Sequence, residues 1–328
     1  MKICIVGAGA IGGYMGVELA LAGEDVTLIA RGAHLDAIRR DGLRLILADG
    51  TSRTAEGVRA FDRVADAGPH DVVVLALKAQ QIETIAHQLR HLYHHDTVVV
   101  TVQNGIPWWY FHKHGGPLEG TRLESLDPNG VLDENIPFER ILGCIAYPAA
   151  EKAGPGVIRH VEGNRFPLGE LDGSKSERIK EVSSTFSAAG FKSRVVTDIR
   201  AQIWLKAWGN MTFNPISALT RATLVGICRF PETRALAESM MAEAQVVAEK
   251  LGITFRYTVE QRIAGAEAVG EHKTSMLQDL EAGRPLETEA LIGVVAELGR
   301  LTETPTPSID ALYACVKLLD RTANAVGP

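Results

Sequence analysis

A doubly wound parallel α/β sheet in the N-terminal half, followed by an all-helical C-terminal domain, is the fold class this 328-residue chain predicts. Three observations carry it. An apolar run at 2–6 is followed at once by Gly7-Ala8-Gly9-Ala10-Ile11-Gly12. Strand-like and helix-like stretches then alternate through the first half, as they do when helices cross over a parallel sheet. From about residue 198 only helical patterns remain.

The first elements justify the reading most directly. KICIV at 2–6 is apolar enough for a strand buried on both faces. The glycine spacing after it has a physical cause. Gly7 permits the tight turn out of the strand, Gly9 lets the backbone approach a pyrophosphate, and Gly12 lets the next helix pack close. A helix at 11–22, ended by Gly23, then offers its N-terminal N–H groups to the phosphates. With a second strand at 25–29 this makes a Rossmann-type dinucleotide-binding unit, and Gly7, Ala8, Gly9, Ala10, Ile11 and Gly12 are its cofactor-binding loop. Arg31 stands past the second strand. An acid there would hydrogen-bond the ribose 2′-hydroxyl of NAD, whereas an arginine pairs with a 2′-phosphate, so NADPH is the expected cofactor.

Further along, a helix is expected at 33–41 and a small hairpin at 43–47 and 54–58 around Asp49-Gly50. Strands follow at 71–77 and 97–101 with a helix at 80–91 between them. Extended stretches at 141–147 and 156–168, a helix at 176–189 and a strand at 191–195 complete the first half. The helical half reads as 199–213, 231–251, 259–269, 275–281, 288–301 and 308–324, with Pro231 at a helix start and Gly252 at its end. The expected domains are therefore 1–197, binding NADP, and 198–328, carrying substrate and catalysis. One stretch is unusual. Pro107-Trp108-Trp109-Tyr110-Phe111 leads into a long Gly- and Pro-bearing segment, 115–136. It either lines a substrate pocket or a subunit contact, or forms a surface flap packed on its own aromatics.

Composition narrows the function classes. The chain is 46% hydrophobic, ample for a sizeable core, and its net charge of −6 argues against nucleic acid or an anionic membrane as partner. Cys4, Cys144, Cys228 and Cys315 form no C-x-x-C pair and read as small core residues in a reducing compartment. No Cys/His spacing matches a zinc site, so no metal is expected. The fold begins at residue 2 and no apolar run reaches membrane-span length, which makes the cytoplasm the expected location.

The polar residues that interrupt apolar surroundings are the candidates for chemistry. Lys78 and Asn104 follow the third and fourth parallel strands, and ligands of open α/β sheets lie outside the carboxyl ends of strands. Lys78 attracts phosphate or a carboxylate there; Asn104 hydrogen-bonds ribose or substrate. Lys206, Asn210 and Asn214 stand at i, i+4 and i+8, on one face of an otherwise apolar helix. Such groups need partners or a wet cleft. A 2-keto acid in such a cleft would supply the anion, and burial would move the lysine toward proton donation; on the residues alone, a structural lysine reaching solvent along its stem, with the amides capping turns, is the simpler reading. Pro215 disfavours helical geometry at Asn214. Glu287 and Glu289, at the start of a helix, are otherwise explained as helix-stabilising acids.

Taken together, GAGAIG at 7–12, Arg31, LKA at 77–79, QNG at 103–105, KAWGNMTFNP at 206–215 and SMLQDLEAGRPLE at 275–287 resemble the ketopantoate reductase (2-dehydropantoate 2-reductase) family over most of the chain. That resemblance implies NADPH-dependent reduction of a 2-keto acid, 2-dehydropantoate to pantoate, in pantothenate synthesis. It implies Lys206 as the catalytic lysine that polarises the C2 carbonyl and donates the proton, with Glu287 anchoring the substrate hydroxyl. Asn210, Asn214, Ser275 and Asn104 would bind substrate, and Lys78 and Asn104 would sit at the cofactor–substrate junction. Glu289 is the competing acid if the register is displaced. The aromatic segment is an elaboration that leaves a different 2-keto acid open as substrate. A non-catalytic NADPH-sensing module is the reading from another class, and it would tolerate loss of Lys206 or Glu287. An opine- or hydroxyacid-type dehydrogenase would need a catalytic His pair, and His272 is the only histidine after His160. The long C-terminal helices allow a homodimer.

Overall fold

The structure, a computed structural model, describes residues 1–325. It divides into two compact units: Met1–Gln103, Phe111–Arg122 and Asn129–Ile199 form the first, and Asn104–Tyr110, Leu123–Pro128 and Arg200–Pro328 the second.

Eleven strands belong to the first unit. They are β1 (Lys2–Val6), β2 (Asp25–Ile29), β3 (Leu43–Ile46), β4 (Ser52–Ala55), β5 (Arg59–Phe61), β6 (Val72–Leu75), β7 (Val98–Thr101), β8 (Ile141–Cys144), β9 (Ala149–Gly154), β10 (Val157–Glu162) and β11 (Leu168–Glu170). Seven make one sheet in the order β5-β2-β1-β6-β7-β8-β11. All neighbours are parallel except β11, which runs antiparallel to β8. This is the 3-2-1-4-5-6 order of dinucleotide-binding sheets, with the reversal of winding at β1 and β6. VVVL of β6 and VVVT of β7 are fully buried, as strands covered on both faces must be. The remaining strands form a second sheet, β4-β3-β10-β9. Helix Ala10–Leu21 lies between the two sheets. A Cβ at Gly16 would fall 2.9 Å from Leu28 of β2, and one at Gly13 would fall 2.7 Å from Ile158 of β10.

Several elements differ from the sequence expectation. The helix expected at 80–91 is one α-turn, Ala79–Ile82, followed by a 3-10 run, Glu83–Leu92. Its buried Ala86, Leu89 and Leu92 lie three apart, the spacing of the tighter helix. The strand expected at 191–195 is reduced to isolated bridges, Arg165 with Lys192 and Leu168 with Val195. β5 and β9 had no pattern to announce them, being short or largely exposed.

The second unit is helical: Ile199–Thr220, Leu224–Arg229, Pro231–Lys250, Val259–Val269, Ser275–Glu281, Val294–Leu301 and Pro307–Ala325, with a π-helical turn at Glu289–Gly293. Trp208 holds its core, donating to Met241 O at 2.9 Å and stacking on Phe255 at 4.1 Å. The expected stop at residue 213 is corrected: the helix runs through Pro215 to Thr220. A proline inside a helix costs about 3 kcal/mol. Burial of Met211, Phe213, Ile216 and Ala218 around it offsets that cost. Among the described residues no helix is long and apolar enough to cross a membrane. Cys4, Cys144 and Cys228 are buried, but Cys315 is exposed, against the expectation of a core role.

Candidate active site

The first unit builds a glycine loop, residues 7–12, at the carboxyl end of β1. Gly7 has φ +104°, and a Cβ there would come 2.9 Å from Ala76 O. Gly12 is more constrained still, since its Cβ would meet Gly7 O at 2.1 Å. Gly9 is the opposite case: it is exposed, and a Cβ would find nothing within 4 Å. The loop is closed at Gly7 by Ala76 and Leu77 beyond β6, closed at Gly12 by the Gly7 carbonyl, and open at Gly9, the approach a pyrophosphate would need. Ala8 is buried, and Ala10 and Ile11 are half-buried. Gly9 caps helix Ala10–Leu21 with no side chain bonded to the first-turn N–H groups, so those donors and the positive end of the dipole suit an anion. These features fit a dinucleotide cofactor.

Arg31 is exposed directly after β2 and is the N-cap of helix Gly32–Asp41. Lys78 is half-buried beyond the end of β6, its N–H donating to Gln81 Oε1 at 3.3 Å. Gln103, beyond β7, donates its side-chain N–H to Leu75 O at 2.6 Å. One residue escaped the sequence reading. Buried His34 accepts the Gly156 N–H on Nδ1 at 2.9 Å, so Nε2 carries the proton and donates to Ala8 O at 2.7 Å. Burial lowers its pKa, which favours the neutral ring that this pair of bonds requires. A lone histidine at a helix start gave no signal of that role.

In the second unit, helix Ile199–Thr220 presents Lys206, Asn210 and Asn214 on one face, and its passage through Pro215 keeps Asn214 in register. Lys206 Nζ donates to Asn104 Oδ1 at 2.6 Å, across 102 positions of sequence. Asn214, 5% exposed, reaches Ser275 Oγ at 3.5 Å, and Asn210 is half-buried between the two pairs along the helix. Ser275 is exposed and follows Thr274, which caps helix Ser275–Glu281.

Glu287 is buried, 8% exposed. Its turn is braced by groups the sequence did not flag: Arg284 pairs with Asp279 at 2.8 Å, and the Leu286 N–H donates to Asp320 at 2.9 Å. Glu289 is committed elsewhere, accepting from Tyr313 OH at 2.7 Å and from Lys317 at 2.9 Å.

The aromatic segment is corrected here. Trp108, Trp109, Tyr110 and Phe111 are at most 5% exposed, which leaves them almost no surface for a substrate or a second chain. Tyr110 instead anchors the Lys206 helix: its OH accepts from Trp204 Nε1 at 2.8 Å and its carbonyl from Arg200 Nε at 2.8 Å.

Comparison with known proteins decides the family. The family model described as ketopantoate reductase PanE/ApbA matches residues 3–173, and its C-terminal companion matches 198–320. The chain belongs to the ketopantoate reductase family. It is 54% identical over 320 residues to the 2-dehydropantoate 2-reductase of Mesorhizobium japonicum, covering 97% of this chain and 98% of that one. A solved structure from Ralstonia solanacearum MolK2, provisionally named a ketopantoate reductase, superposes with a TM-score of 0.93 at 42% identity, covering 98% of both chains. The 2-dehydropantoate 2-reductase structure from Geobacter metallireducens gives a TM-score of 0.82 at 28% identity, covering 97% of this chain and 99% of that one.

Proposed function

We propose that this protein reduces the C2 carbonyl of 2-dehydropantoate to the alcohol of pantoate, with NADPH as cofactor. Membership of the family supports the reaction. The observation that carries the residue assignments is the Lys206–Asn104 contact, in which a half-buried lysine of helix Ile199–Thr220 donates to an amide from outside that helix.

When bound, the cofactor supplies a hydride. The loop Gly7–Gly12 would hold its pyrophosphate and Arg31 would pair with its 2′-phosphate, with Lys78 and Asn104 as the residues that would serve its reacting end. Lys206 polarises the carbonyl oxygen and gives it a proton as negative charge develops there. Asn104 Oδ1 accepts from Lys206 Nζ and so fixes where that proton points. Glu287 accepts from the substrate hydroxyl, and its neighbours Arg284 and Asp320 keep its turn in place. Asn210 and Asn214 hydrogen-bond substrate, and Ser275 takes its carboxylate. Residues 1–197 serve as the NADP-binding domain and 198–328 as the substrate and catalytic domain, with positions 326–328 outside the described residues. A cytoplasmic homodimer is part of the same proposal, and sedimentation of the purified protein tests the dimer.

The test is oxidation of NADPH, followed by the absorbance of reduced nicotinamide, with 2-dehydropantoate beside a panel of other 2-keto acids and with NADH as the alternative cofactor. Turnover selective for 2-dehydropantoate and NADPH is the expected result. Turnover of another keto acid alone would overturn the substrate, and binding of NADPH without any turnover would favour a sensing module.

A further inference from the structure

We propose that the π-helical turn Glu289–Gly293 is a positioning device for the proton donor, acting through Gly105. The inference rests on the assignment of Lys206 and Asn104 made above.

In an α-helix the N–H of Val294 would bond the carbonyl of Ala290, four residues back. Here it bonds Glu289 O instead, five residues back. The Ala290 carbonyl accepts the N–H of Ile106 at 3.2 Å. The segment that carries Asn104 is therefore docked on the one turn of this helix whose hydrogen bonding is out of α-register. The docking is close enough to dictate the residue between the two. Gly105 has φ +82°, and a Cβ there would lie 1.9 Å from Ala290 O and 2.6 Å from its carbonyl carbon. Both partners are backbone, so neither can rotate away. Directly before this contact, Asn104 Oδ1 receives Lys206 Nζ at 2.6 Å.

The opposite side of the turn is also fixed. Glu289 accepts from Tyr313 OH and pairs with Lys317, and a Cβ at Gly293 would fall 2.4 Å from Glu289 Oε2 and 2.9 Å from Tyr313 Cε2. The turn is thus pinned to helix Pro307–Ala325 on one side and carries the Asn104 segment on the other. The extra residue in the turn sets where Ala290 O stands, and through it where Asn104 holds Lys206. Gly105, Ala290 and Tyr313 are positioning residues: they act on the proton donor through Asn104.

The test is a double-mutant cycle on the full-length protein, assayed with NADPH and 2-dehydropantoate. Gly105→Ala is expected to lower kcat about tenfold or more with a smaller change in KM, because the group displaced serves proton delivery. In an Asn104→Ala background the same substitution should change kcat less than twofold, since the residue it positions is gone. A purely structural role for Gly105 predicts equal losses in both backgrounds, and that result, or wild-type kcat in Gly105→Ala, overturns the proposal. If Gly105→Ala does not fold, Tyr313→Phe is read through the same cycle. It should lower kcat a few-fold in the wild type and leave Asn104→Ala unchanged; full activity in the wild-type background overturns the proposal. Lys206→Ala, run alongside, separates the two levels. If it retains turnover, the underlying assignment fails; if it is inactive while the cycle is additive, only the positioning role fails.

Discussion

The glycine loop and the Lys206 face do their work in opposite ways. The loop at Gly7–Gly12 is six consecutive residues whose contribution is mostly the absence of side chains: no Cβ at Gly12 against Gly7 O, none at Gly9 toward the open approach. The Lys206 face is made of side chains: Lys206 with Asn104, and Asn214 with Ser275, along helix Ile199–Thr220. The first is a local backbone conformation that leaves no room for added atoms at Gly7 and Gly12. The second is a set of polar groups placed by packing, and it fails when any supporting contact moves.

The largest effect expected from this contrast is at Lys206. Lys206→Ala should lower kcat by about 10²–10⁴-fold, the range for loss of a positioned acid, while the dissociation constant for NADPH stays within a few-fold by fluorescence titration. Comparable losses of both would mean that the two regions do not divide binding from chemistry as drawn.

Next comes a pair inside the loop. Gly12→Ala should cost about 1–3 kcal/mol of stability, as overpacking does, because its Cβ would meet Gly7 O at 2.1 Å. Gly9→Ala should keep the wild-type melting temperature, its Cβ meeting nothing, yet weaken NADPH binding by crowding the pyrophosphate. Equal melting temperatures for the two variants would remove the distinction between closed and open glycines.

Arg31→Ala should raise KM for NADPH about tenfold, the scale of a single charge-assisted hydrogen bond at an exposed site, and leave KM for NADH unchanged. An equal rise for both cofactors would show that Arg31 does not read the 2′-phosphate.

The smallest effect concerns His34. Its pKa is lowered by burial from the ordinary histidine value of 6.5. The unfolded chain therefore binds the proton more readily. The bonds to Ala8 and Gly156 contribute fully above pH 6.5, and their contribution is lost as pH falls through the lower, folded-state value. His70, buried and shifted in the same direction, adds to the slope. Melting temperature plotted against pH should decline below pH 6.5, less steeply in His34→Gln; an unchanged slope would mean that the histidine does not clamp the loop.

Particular residues show where sequence reading stops. β1, the loop and β2 are adjacent in the chain, and each follows from local rules: an apolar run, a glycine spacing, a second apolar run. The winding of the sheet was legible for the same reason, since VVVL and VVVT must be buried on both faces. The aromatic run at 108–111 stays open in the sequence because burial is not a local property. The same four side chains suit a pocket wall or a core, and the pairing of Tyr110 with Trp204 and Arg200 decides for the core. Pro215 was misread because its local cost is real but smaller than the packing around it.

By itself, then, the sequence determined the fold class, the glycine loop after β1 and the helix face that carries Lys206, Asn210 and Asn214. All are written in spacings of a few residues, where turn geometry and helical periodicity leave little choice. Only the tertiary structure decided that Asn104 meets Lys206, that Glu289 is engaged by Tyr313 and Lys317, that His34 bonds the glycine loop at Ala8, and that a π turn at Glu289–Gly293 receives the Gly105 backbone. Each of these joins groups distant in the chain through contacts accurate to a few tenths of an ångström. Such contacts are fixed by how whole elements pack, and no local pattern of residues encodes them.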